Sequence, residues 1–208
     1  MMQITTNTEA WQKRALLGVE QFRASSQVDP EKIAVVGYGF GGATAMQLTY
    51  AGASLTAAVS VYGPLSPPTP EQAAAIKPRI LVAHGASDES VPKDRIEQFS
   101  SDLNDARVDW EMDIYGGAKH GFANPYTGGY GMDGLAYNER ADRRSWARLL
   151  AFLKDSFARD GSVRPESGGQ FRAAGATEAR SPARSVFWIR MWCRGEDLNL
   201  HRVTPTWT

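Results

Sequence analysis

Ile33-Ala34-Val35-Val36-Gly37-Tyr38-Gly39-Phe40-Gly41-Gly42 is the stretch whose reading decides the fold. Ile33 to Val36 is a short apolar, β-branched-rich run after the turn-forming pair Asp29-Pro30, and it reads as a buried strand. Gly37-x-Gly39-x-Gly41 predicts a sharp bend. From Gly42 onward, Ala43, Ala45, Met46 and Leu48 predict a small apolar helix able to press closely on a sheet. In a strand–elbow–helix of this kind the central residue is strained and carries its side chain above the sheet. Gly39 stands at that centre. A glycine takes positive φ without a Cβ clash, so it relaxes the strain and offers no nucleophile. Two other readings fit the same residues: a Gly-rich turn without chemistry, and a dinucleotide-binding turn, Gly37-x-Gly39-x-x-Gly42. The second lacks a ribose-binding acid after the next strand, Thr56 to Tyr62.

Two further segments carry chemistry-bearing side chains. Arg79-Ile80-Leu81-Val82-Ala83 is a continuous apolar strand, expected where helices cover both faces of a sheet. It runs into His84-Gly85-Ala86-Ser87-Asp88 and then Val91-Pro92, with a helix from about Lys93. Asp88 thus falls in a loop at the carboxyl end of a strand, where open α/β sheets keep their sites. There it can orient an imidazole; alternatively, Asp88 or Ser90 caps the next helix. Val108 to Tyr115 alternates, with Val108, Trp110, Met112 and Ile114 against Asp109, Glu111 and Asp113, and reads as a strand near a sheet edge. His120 follows in a glycine-flanked loop suited to a general base. His84 ends a strand and is expected to be packed. A metal held by the two histidines and Asp88 matches no helix-borne metal spacing.

Elbow, acid and histidine come in the chain order of the α/β-hydrolases. The residues resemble one family of that fold, the dienelactone hydrolases. Its elbow, Gly-x-Cys-x-Gly-Gly, is matched by Gly37 to Gly42 with Gly39 for the cysteine. Its His-Gly-x-x-Asp-x-x-Val-Pro stretch is matched by His84 to Pro92, and its His-Gly-Phe by His120-Gly121-Phe122. Ala136-Tyr137-Asn138 through Trp146 is similar to the approach to its last helix. The resemblance covers roughly Trp11 to Ala158 and implies a three-layer α/β fold with a mostly parallel sheet. It also implies ester or lactone hydrolysis through a Cys-His-Asp triad. His120 is then the base, Asp88 its orienter, Gly39 the vacant nucleophile position and the Phe40 N–H an oxyanion donor. Tyr38, Tyr62 and Phe122 are the candidate walls of the substrate site. Ser60, Ser66, Ser87 and Ser90 are the nearby hydroxyls; failing those, the His120–Asp88 pair could act on water directly. A non-catalytic scaffold is the rival reading, and Gly39 favours it.

The 208 residues, 42% hydrophobic with zero net charge and pI near 6.8, suit a soluble single domain and give no electrostatic reason to expect nucleic acid. One cysteine, Cys193, rules out an internal disulfide and favours a reducing, cytoplasmic setting. No apolar run is long enough for a membrane span, and no cofactor is implied. Near the start, Thr6-x-x-Glu9 suggests a capping box, and Trp11, Ala15, Val19 and Phe22 form a helical stripe. The resemblance implies strands before this helix that the chain does not show, hence an N-terminally truncated sheet. An elbow strand left at a bare edge would invite a homodimer. A last helix with Trp146, Leu149, Leu150, Leu153 and Phe157 on one stripe closes a domain at residues 1–160. Residues 161–208 carry seven Arg and no Lys. They are expected to form a disordered or non-native tail, although Val186 to Trp192 shows some strand character.

Overall fold

The computed structural model describes residues 7–158 and the backbone of 185–190. Helix α1 (Thr8–Arg23) leads into strand β1 (Ile33–Tyr38), helix α2 (Phe40–Tyr50) and strand β2 (Ala57–Val61). Helix α3 (Pro70–Ala75), strand β3 (Arg79–Gly85), helix α4 (Lys93–Asp105) and strand β4 (Trp110–Tyr115) follow. Helix α5 (Glu139–Ala158) and strand β5 (Ser185–Arg190) complete the described elements. The sheet order is β4-β3-β2-β1-β5, and every pair is parallel.

Both faces of the sheet are covered, which is why β1, β2 and β3 read as unbroken apolar runs. On one face Val35, Ala58, Ile80 and Val82 meet α2 and α4, with Val19 of α1 joining the same cluster. On the other, Ala34, Val59, Leu81 and Ala83 meet Leu149, Phe152, Leu153 and Phe157 of α5. Helix α2 is buried on every side from Gly41 to Tyr50, because α1 lies across it. Trp11 stacks on Phe40 at 4.8 Å, its indole N–H donates to Thr44 Oγ1, and Gln12 Nε2 donates to Gln47. A helix enclosed in this way needs small and apolar residues all round, and it has them.

β4 is an edge strand, as its alternation predicts. Trp110 and Met112 pack on the core, while Glu111 and Asp113 face two arginines. Arg79 binds Asp109, Glu111 and Asp155, and Arg148 binds Glu111 and Asp113. Charged groups along an edge also discourage pairing with another chain.

Several expectations differ from the structure. The cap of α1 is Asn7, whose Oδ1 accepts from the Ala10 N–H; Thr6 lies outside the described residues. Trp146, placed on the buried stripe of the last helix, is 43% exposed, and Ser145 and Phe152 take the inward positions instead. β1 has no bare edge, because β5 pairs along its whole length from Ile33↔Ser185 to Tyr38↔Arg190. With that edge occupied, the homodimer expected there loses its physical reason. Within the tail, 185–190 is therefore strand rather than disorder; its other residues, Cys193 included, lie outside the described ones. Among the described residues, no helix is long and apolar enough to cross a membrane.

Candidate active site

The elbow forms where β1 meets α2. Gly39 has φ 55° and ψ −120°, so it keeps the strained backbone of a nucleophile position although it carries no side chain. Its N–H donates to Val61 C=O at 3.0 Å, and its carbonyl accepts from Gly42 N–H at 2.9 Å and Ala43 N–H at 3.2 Å. The bend is anchored on both sides. A Cβ built on Gly39 would meet only Tyr62, 3.4 Å away, which is ordinary contact. Two residues earlier there is no such room: a Cβ on Gly37 would lie 1.9 Å from the Gly41 carbonyl oxygen. Gly37 is thus required by close backbone approach, whereas Gly39 is required by its φ alone. Phe40 opens α2, so its N–H belongs to the first turn, where amides have no partner within the helix.

The acid and the histidine stand together. His120 Nδ1 lies 2.9 Å from Asp88 Oδ2, and the Asp88 side chain has no solvent exposure. Ser90 completes the arrangement. Its hydroxyl is 2.5 Å from Asp88 Oδ1 and 3.2 Å from His120 Nδ1, and its N–H donates to Asp88 Oδ1. One consistent proton pattern has the hydroxyl donating to Asp88 while the His120 Nδ1–H donates to Asp88 and Ser90. That pattern fixes the tautomer and leaves Nε2 as the basic nitrogen. Ser90, considered as a replacement nucleophile, therefore meets the wrong nitrogen for that task. Asp88 does not cap α4 either; Pro92 precedes that helix without a side-chain cap.

Burial alone would push the Asp88 carboxyl up. The hydrogen bonds from His120 and Ser90, the charge of a protonated His120 and the Ser90 N–H outweigh it and hold the carboxyl below the usual carboxylate range. His84 is buried at the end of β3, as expected of a packed residue, and its Nδ1 has no hydrogen-bond partner among the described residues. Its burial holds its basicity below the usual imidazole range; Asp88 opposes this and His120 adds to it. The neutral form of His84 is thus favoured near pH 7.

Backbone contacts hold the two loops in register. Ser87 N–H donates to Ala118 C=O, Ala86 N–H to Tyr115 C=O, and Ala136 N–H to His120 C=O. Gly117 and Gly121 bracket the His120 loop with φ near +70°, which is the signal the glycine-flanked histidine carried in the sequence.

The aromatic residues separate into two kinds. Tyr38 is partly exposed beside the elbow, where a substrate wall was expected. Phe122, expected in the same wall, is fully buried and touches Tyr62 and Tyr115 instead; it supports the site from below. Among the remaining hydroxyls, Ser60 lies inside β2 with no exposure, and its Oγ has no hydrogen-bond partner among the described residues. Ser66 donates nothing to the pair; its carbonyl holds the Tyr50 hydroxyl.

A scan against family models matches residues 1–157 to the dienelactone hydrolase family. Among solved structures, the chain is similar to m3DLH, at 38% identity and TM-score 0.69 over 71% of this chain and 62% of that one. It is also similar to P91, a dienelactone hydrolase-like promiscuous phosphotriesterase from metagenomic libraries. There the identity is 33% and the TM-score 0.72, over 74% of this chain and 65% of that one. An uncharacterized Caenorhabditis elegans protein, K02A2.1, is 29% identical over 133 residues, which are 63% of this chain and 84% of that protein. The chain therefore spans a little under two thirds of the length of the two solved structures. With the family model running from residue 1 to 157 across a parallel sheet covered on both faces, this chain belongs to the dienelactone hydrolase family.

Proposed function

We propose that this site hydrolyses small ester or lactone substrates, with water in place of a side-chain nucleophile. The observation that carries the reading is the pinned His120: with Nδ1 held by Asp88 and Ser90, Nε2 is left to take a proton. In this scheme Nε2 removes a proton from water as the oxygen bonds to the ester carbonyl carbon. The carbonyl electron pair moves onto its oxygen, which the Phe40 N–H stabilises. Collapse breaks the bond to the leaving alkoxide, and the imidazolium returns the proton to it. Tyr38 stands beside the acyl group. The single cysteine supports a cytoplasmic setting.

Hydrolysis of an activated aryl ester and of a dienelactone tests the proposal, with His120→Ala beside the parent. Because P91 carries phosphotriesterase in its description, an aryl phosphotriester belongs in the same panel. The expected result is a slow parent activity that falls about 10²- to 10⁴-fold in His120→Ala, the usual worth of general-base catalysis. The vacant side chain at Gly39 favours one rival, a scaffold without catalysis. It predicts parent and His120→Ala at the same background rate, with both proteins folded.

A further inference from the structure

Tyr62 has an unusual backbone for its side chain. It follows β2 with φ 40°, one of two non-glycine residues with positive φ among the described residues. Strain of this kind persists only where the surroundings over-determine it, and it gathers at functional sites. The surroundings here are specific. The Tyr62 N–H donates to Ala83 C=O at 2.8 Å, which fixes the residue between β2 and β3. The next residue, Gly63, presses on the first turn of α2: a Cβ there would lie 3.0 Å from Gly42 Cα. Any relaxation of Tyr62 would therefore displace either the sheet ladder or the elbow.

This backbone places the ring at the middle of the site. Its edge is the nearest group to the position a Cβ on Gly39 would take, at 3.4 Å. It meets His120 edge to face with ring centroids 5.4 Å apart, and Phe122 at 5.3 Å. Phe122 is fully buried and leans on Tyr115, so the support under Tyr62 is rigid. Tyr62 itself is only 9% exposed, too little to serve as a broad substrate surface. Asp88 and Ser90 hold one nitrogen of His120 but leave the ring free to swing about that point. A packed aromatic edge removes this freedom.

We infer that Tyr62 is a positioning residue: its ring fixes the orientation of the His120 imidazole and the gap between it and the elbow at Gly39. The inference rests on the reading of His120 as the base, and its test does not require turnover. In the full chain, proton NMR would follow the His120 Nδ1–H and its exchange with water in the parent, Tyr62→Phe and Tyr62→Leu. Tyr62→Phe keeps the ring and is expected to match the parent. Tyr62→Leu is expected to exchange about tenfold faster, equal to about 1.4 kcal/mol of local opening free energy. If Tyr62→Leu does not fold, Phe122→Leu removes the ring's support with less loss of volume and should accelerate the same exchange.

A folded Tyr62→Leu with parent-like exchange overturns the inference. So does parent-like exchange combined with lower ester hydrolysis, since Tyr62 would then act on substrate. Faster exchange in a protein whose parent hydrolyses nothing upholds Tyr62 as the support of His120 and rejects the hydrolase reading alone.

Discussion

The elbow and the acid–histidine loops keep opposite halves of one design. At Gly39 the backbone conformation of a nucleophile is present and the side chain is not. At Asp88 and His120 the side chains are present, hydrogen-bonded and anchored by their own loops. The contrast shows that the strained turn does not depend on the residue it would display. Its shape comes from neighbours: the close approach of Gly37 to Gly41 and the hydrogen bond of Gly39 to the Val61 carbonyl. An elbow of this kind can lose its chemistry without losing its form.

The largest effect is expected at Gly37. Gly37→Ala puts a methyl group against backbone that cannot yield, and should cost about 4 kcal/mol or more, or prevent folding. Chemical denaturation measures it. Gly39→Ala, two residues on, has room for its methyl and faces only an unfavourable φ, so a loss of about 1–3 kcal/mol is expected. Equal losses at the two positions would mean that the elbow is not shaped as described.

Acid should act on the other half of the comparison. His84 and Asp88 both have protonation equilibria lowered in the folded protein, so the unfolded chain binds protons first as pH falls. Each therefore contributes stability that is complete above its unfolded value and is lost as pH falls through its folded one. The His84 loss starts near pH 6.5 and the Asp88 loss near pH 4, each with a slope of up to about 1.4 kcal/mol per pH unit. His84→Gln should flatten the first stage and leave the second. A stability curve level from pH 7 to pH 4 would contradict this.

The smallest effect is expected at Ser90. Ser90→Ala removes a hydroxyl that bridges Asp88 and His120, but Asp88 keeps the Ser90 N–H and the imidazole. About 0.5–1.5 kcal/mol of stability should be lost. Calorimetry of the variant checks it, and a loss several times larger would make Ser90 the principal anchor of the pair.

Much of this site was legible in the chain. Periodicity and glycine placement locate β1 to β4 within two residues of their observed ends, because strands buried on both faces leave long apolar runs. Asp88 stood out because it follows a strand in a loop at its carboxyl end, and His120 because it sits in a glycine-flanked loop after the next strand. What stayed hidden depends on tertiary placement. Nothing local marks Tyr62 as strained, since its φ is imposed by Ala83 and by the approach of Gly63 to Gly42. Ser90 reads as a cap or a spare hydroxyl until the loops bring it to Nδ1. Phe122 looks like a wall residue because it follows His120, yet one turn of the loop sends it into the core. Trp146 fits a helical stripe by spacing, but α5 turns Ser145 and Phe152 inward and leaves Trp146 exposed.

In the proposed site the elbow is preorganised and lacks only a nucleophile. The most direct measurement is rapid mixing of Gly39→Cys with an activated aryl ester, reading release of the aryl alcohol, with the parent and Gly39→Cys/His120→Ala as controls. A burst approaching one equivalent is expected in Gly39→Cys, absent from the parent and strongly slowed without His120. A folded Gly39→Cys protein with no burst, or with one indifferent to His120, would contradict it.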